Sequence, residues 1–216
     1  MLDQLVQSLI RKVANTLYHV HITGLENIPA TGSVVLICNH QSYLDAPLLY
    51  AHIKRDVKFL AYYKLFEKPL VGKILKIHHD VPIKDKDLEQ IKQAFNECCD
   101  ILHKEQLLCL FPEGNLTSDG TIKDFKHGIK YLWHQCPTPI IPIAIDGFWD
   151  TIFSRNPDVR KLLRNPFKRK HIYITVGKQM NFTYYPTPDY LKQVVCDLQK
   201  NTPKHYKKNA RRHFQI

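Results

Sequence analysis

The chain reads as an α/β protein: a single domain with a mainly parallel central sheet of about seven strands, flanked by helices and preceded by an amphipathic N-terminal helix. Three observations predict this. Short apolar, β-branched runs alternate along the chain with segments of helical period. The strongest of these runs, Val34 to Ile37 and Leu107 to Phe111, are apolar throughout and stop at polar clusters, as strands buried on both faces do. At 216 residues, with no internal repeat or low-complexity segment, one core is sufficient. The expected division is residues 1–17 as the amphipathic helix, 18–200 as the main domain and 201–216 as a basic tail.

The elements follow in order. In the first helix Leu2, Leu5, Val6, Leu9, Ile10, Val13, Ala14 and Leu17 share one face, and Gln4, Gln7, Ser8, Arg11 and Lys12 take the other. Such a helix either packs on the domain's own core or lies in the headgroup region of a bilayer. Tyr18 to Thr23 alternates as a strand, and a connection with two glycines and Pro29 leads to the strand at Val34. Tyr43 to His52 has helical spacing, with Pro47 in the first turn. Val57 to Tyr63 is a strand, Lys64 to Ile77 a helical segment interrupted by Pro69 and Gly72, and His78 to Ile83 a further strand. Asp87 to Glu105 is an amphipathic helix and Leu107 to Phe111 a buried strand. Lys123 to Cys136 reads as a helix, and Pro139 to Asp146 as a strand in which Pro142 marks an edge or a break. His171 to Val176 alternates, and Thr187-Pro188 opens a last helix.

The formal charge of +11 calls for an anionic partner, and the excess gathers between Arg160 and Lys170 and from Lys200 onward. Such runs also serve simply as solvated surface. The six cysteines show no Cys-x-x-Cys spacing and mostly fall in apolar runs, as reduced core residues of a cytosolic protein do. No apolar run approaches the roughly 18 residues that cross a bilayer, and no signal core follows the N-terminus. A protein spanning nothing can still sit on a membrane surface.

Chemistry concentrates after the strand at Val34. Asn39, His40, Gln41 and Ser42 form a polar cluster at a strand-to-helix turn, and Asp45 lies in the first helical turn, within hydrogen-bonding reach of the His40 imidazole. A carboxylate behind an imidazole fixes its tautomer and stabilises the imidazolium as it forms, which makes a general base. With no Gly-x-Ser-x-Gly elbow in the chain, the attacking hydroxyl comes from a substrate. The same residues also fit a capping box, Ser42-x-x-Asp45, in which both side chains serve only the helix start. A second block, Phe111-Pro112-Glu113-Gly114, follows another buried strand. It reads either as a plain tight turn or as one whose backbone holds a phosphate or oxyanion. In a parallel sheet both blocks sit where ligands collect, at the carboxyl ends of strands.

Taken together, Asn39-His40-x4-Asp45 and Phe111-Pro112-Glu113-Gly114 resemble the glycerolipid acyltransferase family, especially the 1-acylglycerol-3-phosphate (lysophosphatidic acid) acyltransferases. Gly24-Leu25-Glu26-Asn27-Ile28-Pro29 resembles the family's approach to its first block. Ser118-Asp119-Gly120 with Phe125-Lys126-x-Gly128 resembles the segment after its third, and Ile140-Ile141-Pro142-Ile143 its fourth. The resemblance covers roughly residues 18 to 150. It implies transfer of a fatty acyl group from acyl-CoA or acyl carrier protein, as co-substrate and without a cofactor, to a lysophospholipid hydroxyl. By the same resemblance His40 is the base, Asp45 orients it, and Glu113 and Gly114 position the acceptor's glycerol phosphate. Where the family's second block ends in a phosphate-binding arginine, this chain has Lys84, a point charge without the planar fork. The third block has Asn115-Leu116 where Thr-Arg is common, and Lys126 or Lys123 is placed to compensate. Lysophosphatidic acid is therefore the expected acceptor, with another lysophospholipid such as lysophosphatidylethanolamine the alternative.

Twelve histidines, including His78-His79 beside Asp80, raise a metal site, but no ligand spacing supports one and none is expected. The competing class is a non-catalytic basic module on anionic membrane or nucleic acid. The chain has none of the recognition signatures of nucleic-acid binders, so nucleic acid is not expected as a partner. The expected location is cytoplasmic, peripheral on the cytoplasmic face of an anionic membrane.

Overall fold

The computed structural model describes residues 2–84, 87–156, 158 and 169–202. Most of the Arg160–Lys170 stretch and the basic tail beyond Thr202 lie outside the described residues. The strands are β1 (Tyr18–Thr23), β2 (Val34–Cys38), β3 (Val57–Tyr62), β4 (Val81–Ile83), β5 (Leu107–Leu110), β6 (Ile140–Asp146) and β7 (Lys170–Val176). They form one seven-stranded sheet in the order β1-β7-β6-β2-β5-β3-β4. β6, β2, β5, β3 and β4 are mutually parallel; β7 runs antiparallel to β6, and β1 pairs parallel with β7. The helices are α1 (Leu2–Leu17), α2 (Asp45–His52), α3 (Pro69–Ile77), α4 (Leu88–His103), α5 (Gly128–Gln135) and α6 (Pro188–Lys200).

Right-handed crossovers decide which helix covers which face. The β2–α2–β3 and β3–α3–β4 connections step in one direction across the sheet, and β4–α4–β5 and β5–α5–β6 step back. α2 and α3 therefore share one face, and α4 and α5 the other. Side-chain alternation along β2 builds two core layers. Val34, Leu36 and Cys38 pack with Leu48, Leu49 and Ile53 of α2. Val35 and Ile37 pack with Phe95 and Leu102 of α4, Leu132 of α5, and Leu191 and Val195 of α6. All five residues of β2, the central strand, are buried.

One expectation is narrowed and two are corrected. Of the edge or break that Pro142 marks, the structure shows the break: the proline lies in β6, an interior strand. It is tolerated because the β7 side of the ladder is interrupted there: Ile143 pairs with Val176 and Ile140 with Met180, and the chain between is attached only by Gly177 N–H donating to the Pro142 carbonyl. The strand expected from His78 is confined to Val81–Ile83, because α3 ends in a Schellman closure with His79 left-handed at φ 58°. Asp80 N–H donates to Leu75 O and His79 N–H to Lys76 O. The helix expected from Lys123 begins only at Gly128, because the Lys123 and Lys126 N–H groups donate across the chain to Glu113 and Pro112.

α1 sits on the α2 face, with Ala14 against the core that Leu48 and Leu49 help build. Its packed side is narrow. Leu5, Leu9, Val13 and Leu17 are exposed, Leu5 and Leu9 by more than 60%. Of the two fates open to this helix, burial of its apolar stripe in the domain's core is not what the fold shows.

Gly147, between β6 and the loop that borders the site, adopts φ 99°, and a Cβ there would stand 2.2 Å from the His171 carbonyl oxygen. Gly147→Ala is expected to cost more than about 2 kcal/mol, from backbone strain and the displaced β6–β7 pairing. A lowered urea midpoint with unchanged slope would register it.

Candidate functional site

β2 ends in the middle of the sheet, so the residues after it must satisfy their polar groups in a buried setting. Asn39 does so by imitating a strand residue: its side-chain oxygen accepts from Ile145 N–H at 2.7 Å and its amide donates to Ile145 O at 2.9 Å. That prolongs the β2–β6 pairing by one side chain and delivers His40 to the carboxyl rim of the sheet. The His40 backbone is held on both sides, its N–H donating to Glu113 Oε1 at 2.7 Å and its carbonyl accepting from Thr117 N–H at 2.9 Å.

The turn into α2 converges on one oxygen. Asp45 Oδ2 accepts from Gln41 N–H at 2.7 Å, from Ser42 N–H at 2.9 Å and from His40 Nδ1 at 2.8 Å. The reach-back bond of the capping pattern, Ser42 N–H to Asp45, and the histidine–carboxylate pair share the same atom, while α2 itself starts after Leu44 without a side-chain cap. Asp45 is fully buried, and its Oδ1 accepts no hydrogen bond among the described residues. Because a carboxylate only accepts, the proton of the His40–Asp45 bond resides on Nδ1, and the neutral ring keeps its lone pair on Nε2. Nε2 has no partner among the described residues, and the His40 side chain is 21% exposed. Phe111 stacks on the imidazole with ring centroids 4.1 Å apart, restraining the ring plane.

Glu113 is buried, and its carboxylate is shared by two backbone donors, His40 N–H and Lys123 N–H at 2.9 Å. Burial pushes its carboxyl up, opposed by those two hydrogen bonds. The turn that follows places cations. Gly114 has φ 69°, and a Cβ there would meet the Cε and Nζ of Lys126 at 2.7 Å, so the missing side chain leaves room for the Lys126 ammonium to lie against the turn. Lys123 Nζ donates to Leu116 O at 3.3 Å. Two lysines thus flank the Glu113–Leu116 segment whose carboxylate holds His40. Lys84 lies elsewhere on the same rim, after the edge strand β4, its ammonium 5.6 Å over the Tyr63 ring. β4 is three ladder spacings from β2, about 14 Å, so Lys84 is not brought beside the His40–Asp45 pair.

The third wall is the loop after β6, which sequence reasoning missed. Gln41 Oε1 accepts from Phe148 N–H, Ser42 Oγ donates to Phe153 O, and Tyr43 N–H donates to the same carbonyl. The only sequence signal for this wall was the positive-φ requirement hidden in Gly147. Cys38 and Cys109 lie beneath the pair, fully buried, and burial pushes both thiols far up, so neither is a thiolate nucleophile. Among the described residues no group of three or more His, Cys, Asp or Glu side chains is assembled that could hold a metal ion. His78 Nδ1 instead pairs with Asp80 Oδ1 at 2.8 Å, an oxygen that also accepts from Phe59 N–H, in a structural tie between α3 and β3.

Comparison with known proteins bears on the family and the fold. A chloroplastic 1-acyl-sn-glycerol-3-phosphate acyltransferase of Arabidopsis thaliana is 30% identical over 131 residues, covering 60% of this chain and 36% of that protein. A 1-acyl-sn-glycerol-3-phosphate acyltransferase of Bacillus subtilis is 24% identical over 178 residues, 80% of each chain. The chain thus spans well under half the length of the plant relatives, though most of the bacterial one. Its fold matches the crystal structure of the 1-acyl-sn-glycerophosphate (LPA) acyltransferase PlsC from Thermotoga maritima, with a TM-score of 0.71 at 19% identity, over 92% of this chain and 77% of that one. The model of the Acyltransferase family matches residues 19–146, more than half of the sequence and the span from within β1 through the end of β6, and the chain belongs to that family.

Proposed function

We propose that the protein is a 1-acylglycerol-3-phosphate O-acyltransferase, moving a fatty acyl group from acyl-CoA or acyl carrier protein to the free hydroxyl of lysophosphatidic acid to form phosphatidic acid. The observation that carries this reading is the His40–Asp45 pair: a buried carboxylate on Nδ1 and an unpartnered Nε2 at the strand rim. His40 Nε2 takes the acceptor's hydroxyl proton as the oxygen attacks the thioester carbonyl. The tetrahedral intermediate collapses with cleavage of the C–S bond, and the imidazolium returns its proton to the leaving thiolate, so the protein ends unchanged. No acyl-enzyme is required, consistent with buried, protonated Cys38 and Cys109 and the absence of a serine elbow. Lys126 and Lys123 suit a phosphomonoester beside the reacting glycerol, and Lys84 supplies a further cation along the rim. Lysine in place of a guanidinium keeps charge without bidentate geometry, which leaves lysophosphatidylethanolamine as the alternative acceptor.

Acceptor and product both reside in a bilayer. Among the described residues no helix is long and apolar enough to cross one. We infer peripheral binding to the cytoplasmic face of an anionic leaflet through the exposed stripe of α1, each nearby cation adding on the order of 1 kcal/mol. Replacing Leu5, Leu9 and Val13 together with serine is expected to reduce cosedimentation with anionic vesicles while the thermal midpoint stays put. Unfolding in place of release would return α1 to the core.

Turnover of purified protein with a panel of lysophospholipids and acyl thioesters, read by mass spectrometry of the products, tests the reaction. Phosphatidic acid as the dominant product is the expected result; no acyl transfer to any lysolipid overturns the assignment. His40→Ala should lower kcat by a factor of about 10² to 10⁴ with the fold retained. Glu113→Ala strips two backbone donors of their acceptor, costing about 1–3 kcal/mol of stability for each donor left buried. If its service to the acceptor runs through His40 and the Lys126 turn, kcat and KM for lysophosphatidic acid should both worsen. A variant of parental activity would exclude Glu113 from the site.

A further inference from the structure

We propose that α3 is a second lipid-contact element, which lays Leu70, Ile74 and Ile77 into the acyl boundary of an anionic leaflet with its lysines at the phosphates. The inference rests on the reading of the protein as an enzyme of membrane lipids, and concerns a surface distinct from α1.

α3 is built inside out. In a globular domain an amphipathic helix turns its apolar stripe to the core. Here Gly72 is the one buried residue of the helix, backed against the Phe66 carbonyl, where a Cβ would stand 2.1 Å away. Leu70, Ile74 and Ile77 follow at i, i+4 and i+7 on a stripe roughly opposite Gly72 around the helix. They are 80%, 62% and 61% exposed, and Val71 beside them is exposed as well. No folding requirement puts them there, since the packed side consists of Gly72 and half-buried Leu75.

Charge identifies the occupant. Lys64, Lys68, Lys73 and Lys76 are all exposed along the segment 63–77, and Glu67 is its only acid. A second protein surface of ordinary composition would not select an apolar stripe bordered on its flank by lysines, whereas an anionic leaflet fits both. Position agrees. α3 leaves the carboxyl end of β3, the rim on which His40 opens, and lies on the α2 face of the sheet. His78, just past the end of α3, packs edge-on against Tyr50 of α2 at 4.8 Å, on the same layer that carries α1. A leaflet touching α1 and α3 therefore lies along one face of the domain and reaches the rim of the site.

The test uses the full chain with α1 intact. Leu70→Ser, Ile74→Ser and Ile77→Ser are combined in one variant, and Lys73→Glu with Lys76→Glu in a second. Partition is measured onto phosphatidylcholine vesicles with and without phosphatidylglycerol, beside a thermal melt and turnover of a short-chain, monomeric lysolipid. The serine variant is expected to lose about tenfold or more in vesicle affinity. The glutamate variant should lose only the increment that phosphatidylglycerol confers, and both should melt and turn over monomeric substrate as the parent does. Should the serine variant melt low, the glutamate variant alone decides. Unchanged partition overturns the proposal, as does a parent dimer that either variant dissociates without loss of vesicle binding, which would assign the stripe to a second copy. Vesicle binding lost on substitution in a protein that acylates nothing keeps the surface and removes the acyl-transfer reading; normal acylation with unaltered partition does the reverse.

Discussion

A single carboxylate oxygen, Asp45 Oδ2, holds the site together. The chain must leave the most buried strand of the sheet and enter α2 within six residues, and a turn that tight exposes backbone donors in a place with little water. Oδ2 gathers two of them, Gln41 and Ser42, and the Nδ1 proton of His40. A buried carboxylate is costly unless donors converge on it, and here the donors that make it affordable are the turn itself. Helix start, turn geometry and imidazole tautomer are consequently one structure. A change that alters the carboxylate alters all three, because the Ser42 N–H bond of the capping pattern and the histidine–carboxylate bond share one oxygen.

Around that oxygen the site is closed by loops from neighbouring strands, each tied by side chain to backbone. Glu113, from the turn after β5, spans from His40 to Lys123; Asn39 stitches β2 to β6; Gln41 and Ser42 reach the 148–153 loop. Such ties fix backbone positions without depending on long flexible side chains. They also arrange charge. In the proposed reaction a positive charge appears transiently on the imidazole, with Asp45 in contact and the Glu113 carboxylate one peptide unit away. The Glu113 carboxyl is pushed up by burial and pulled down by the backbone hydrogen bonds it accepts from Lys123 and His40.

The sheet was legible because parallel strands buried on both faces are apolar without interruption, and the seven expected runs are the seven strands. The His40–Asp45 contact was legible because five residues across a strand-to-helix turn leave little choice of geometry. What failed to show was decided by long-range hydrogen bonds. Residues 123–127 have helical composition, yet their N–H groups answer to Glu113 and Pro112, which no local pattern encodes. Pro142 read as an edge or a break because the rule concerns the missing donor, and of the two it is the break: the donor is missing where β7 is itself interrupted. The Phe148–Ser154 wall had no apolar period and no motif, only a glycine whose need appears once His171 is known to face it. Gly114 read either as part of a plain tight turn or as room for a ligand, and Lys126 lies where a Cβ would be.

The orientation of α1 and α3 was equally hidden, because periodicity reports that a helix has an apolar side and not which way that side faces. In α4 and α6 the side faces the core: Phe95, Cys98 and Leu102, or Leu191 and Val195, are all buried. In α3 a glycine occupies the packed position and branched aliphatics the exposed one. A nine-residue helix is too short to persist in water on its own, and this one is held by Pro69 at its start and the His79 closure at its end. Those devices would hold it equally well with serine or glutamine outward, so folding does not account for Leu70, Ile74 and Ile77. Water penalises the exposed stripe and an acyl phase does not. The same domain that sets two backbone N–H donors on the carboxylate aligning one imidazole leaves two helices on the adjoining face with their greasy sides uncovered. A substrate whose hydroxyl sits at headgroup depth and whose chain lies in the leaflet would meet both features in one approach.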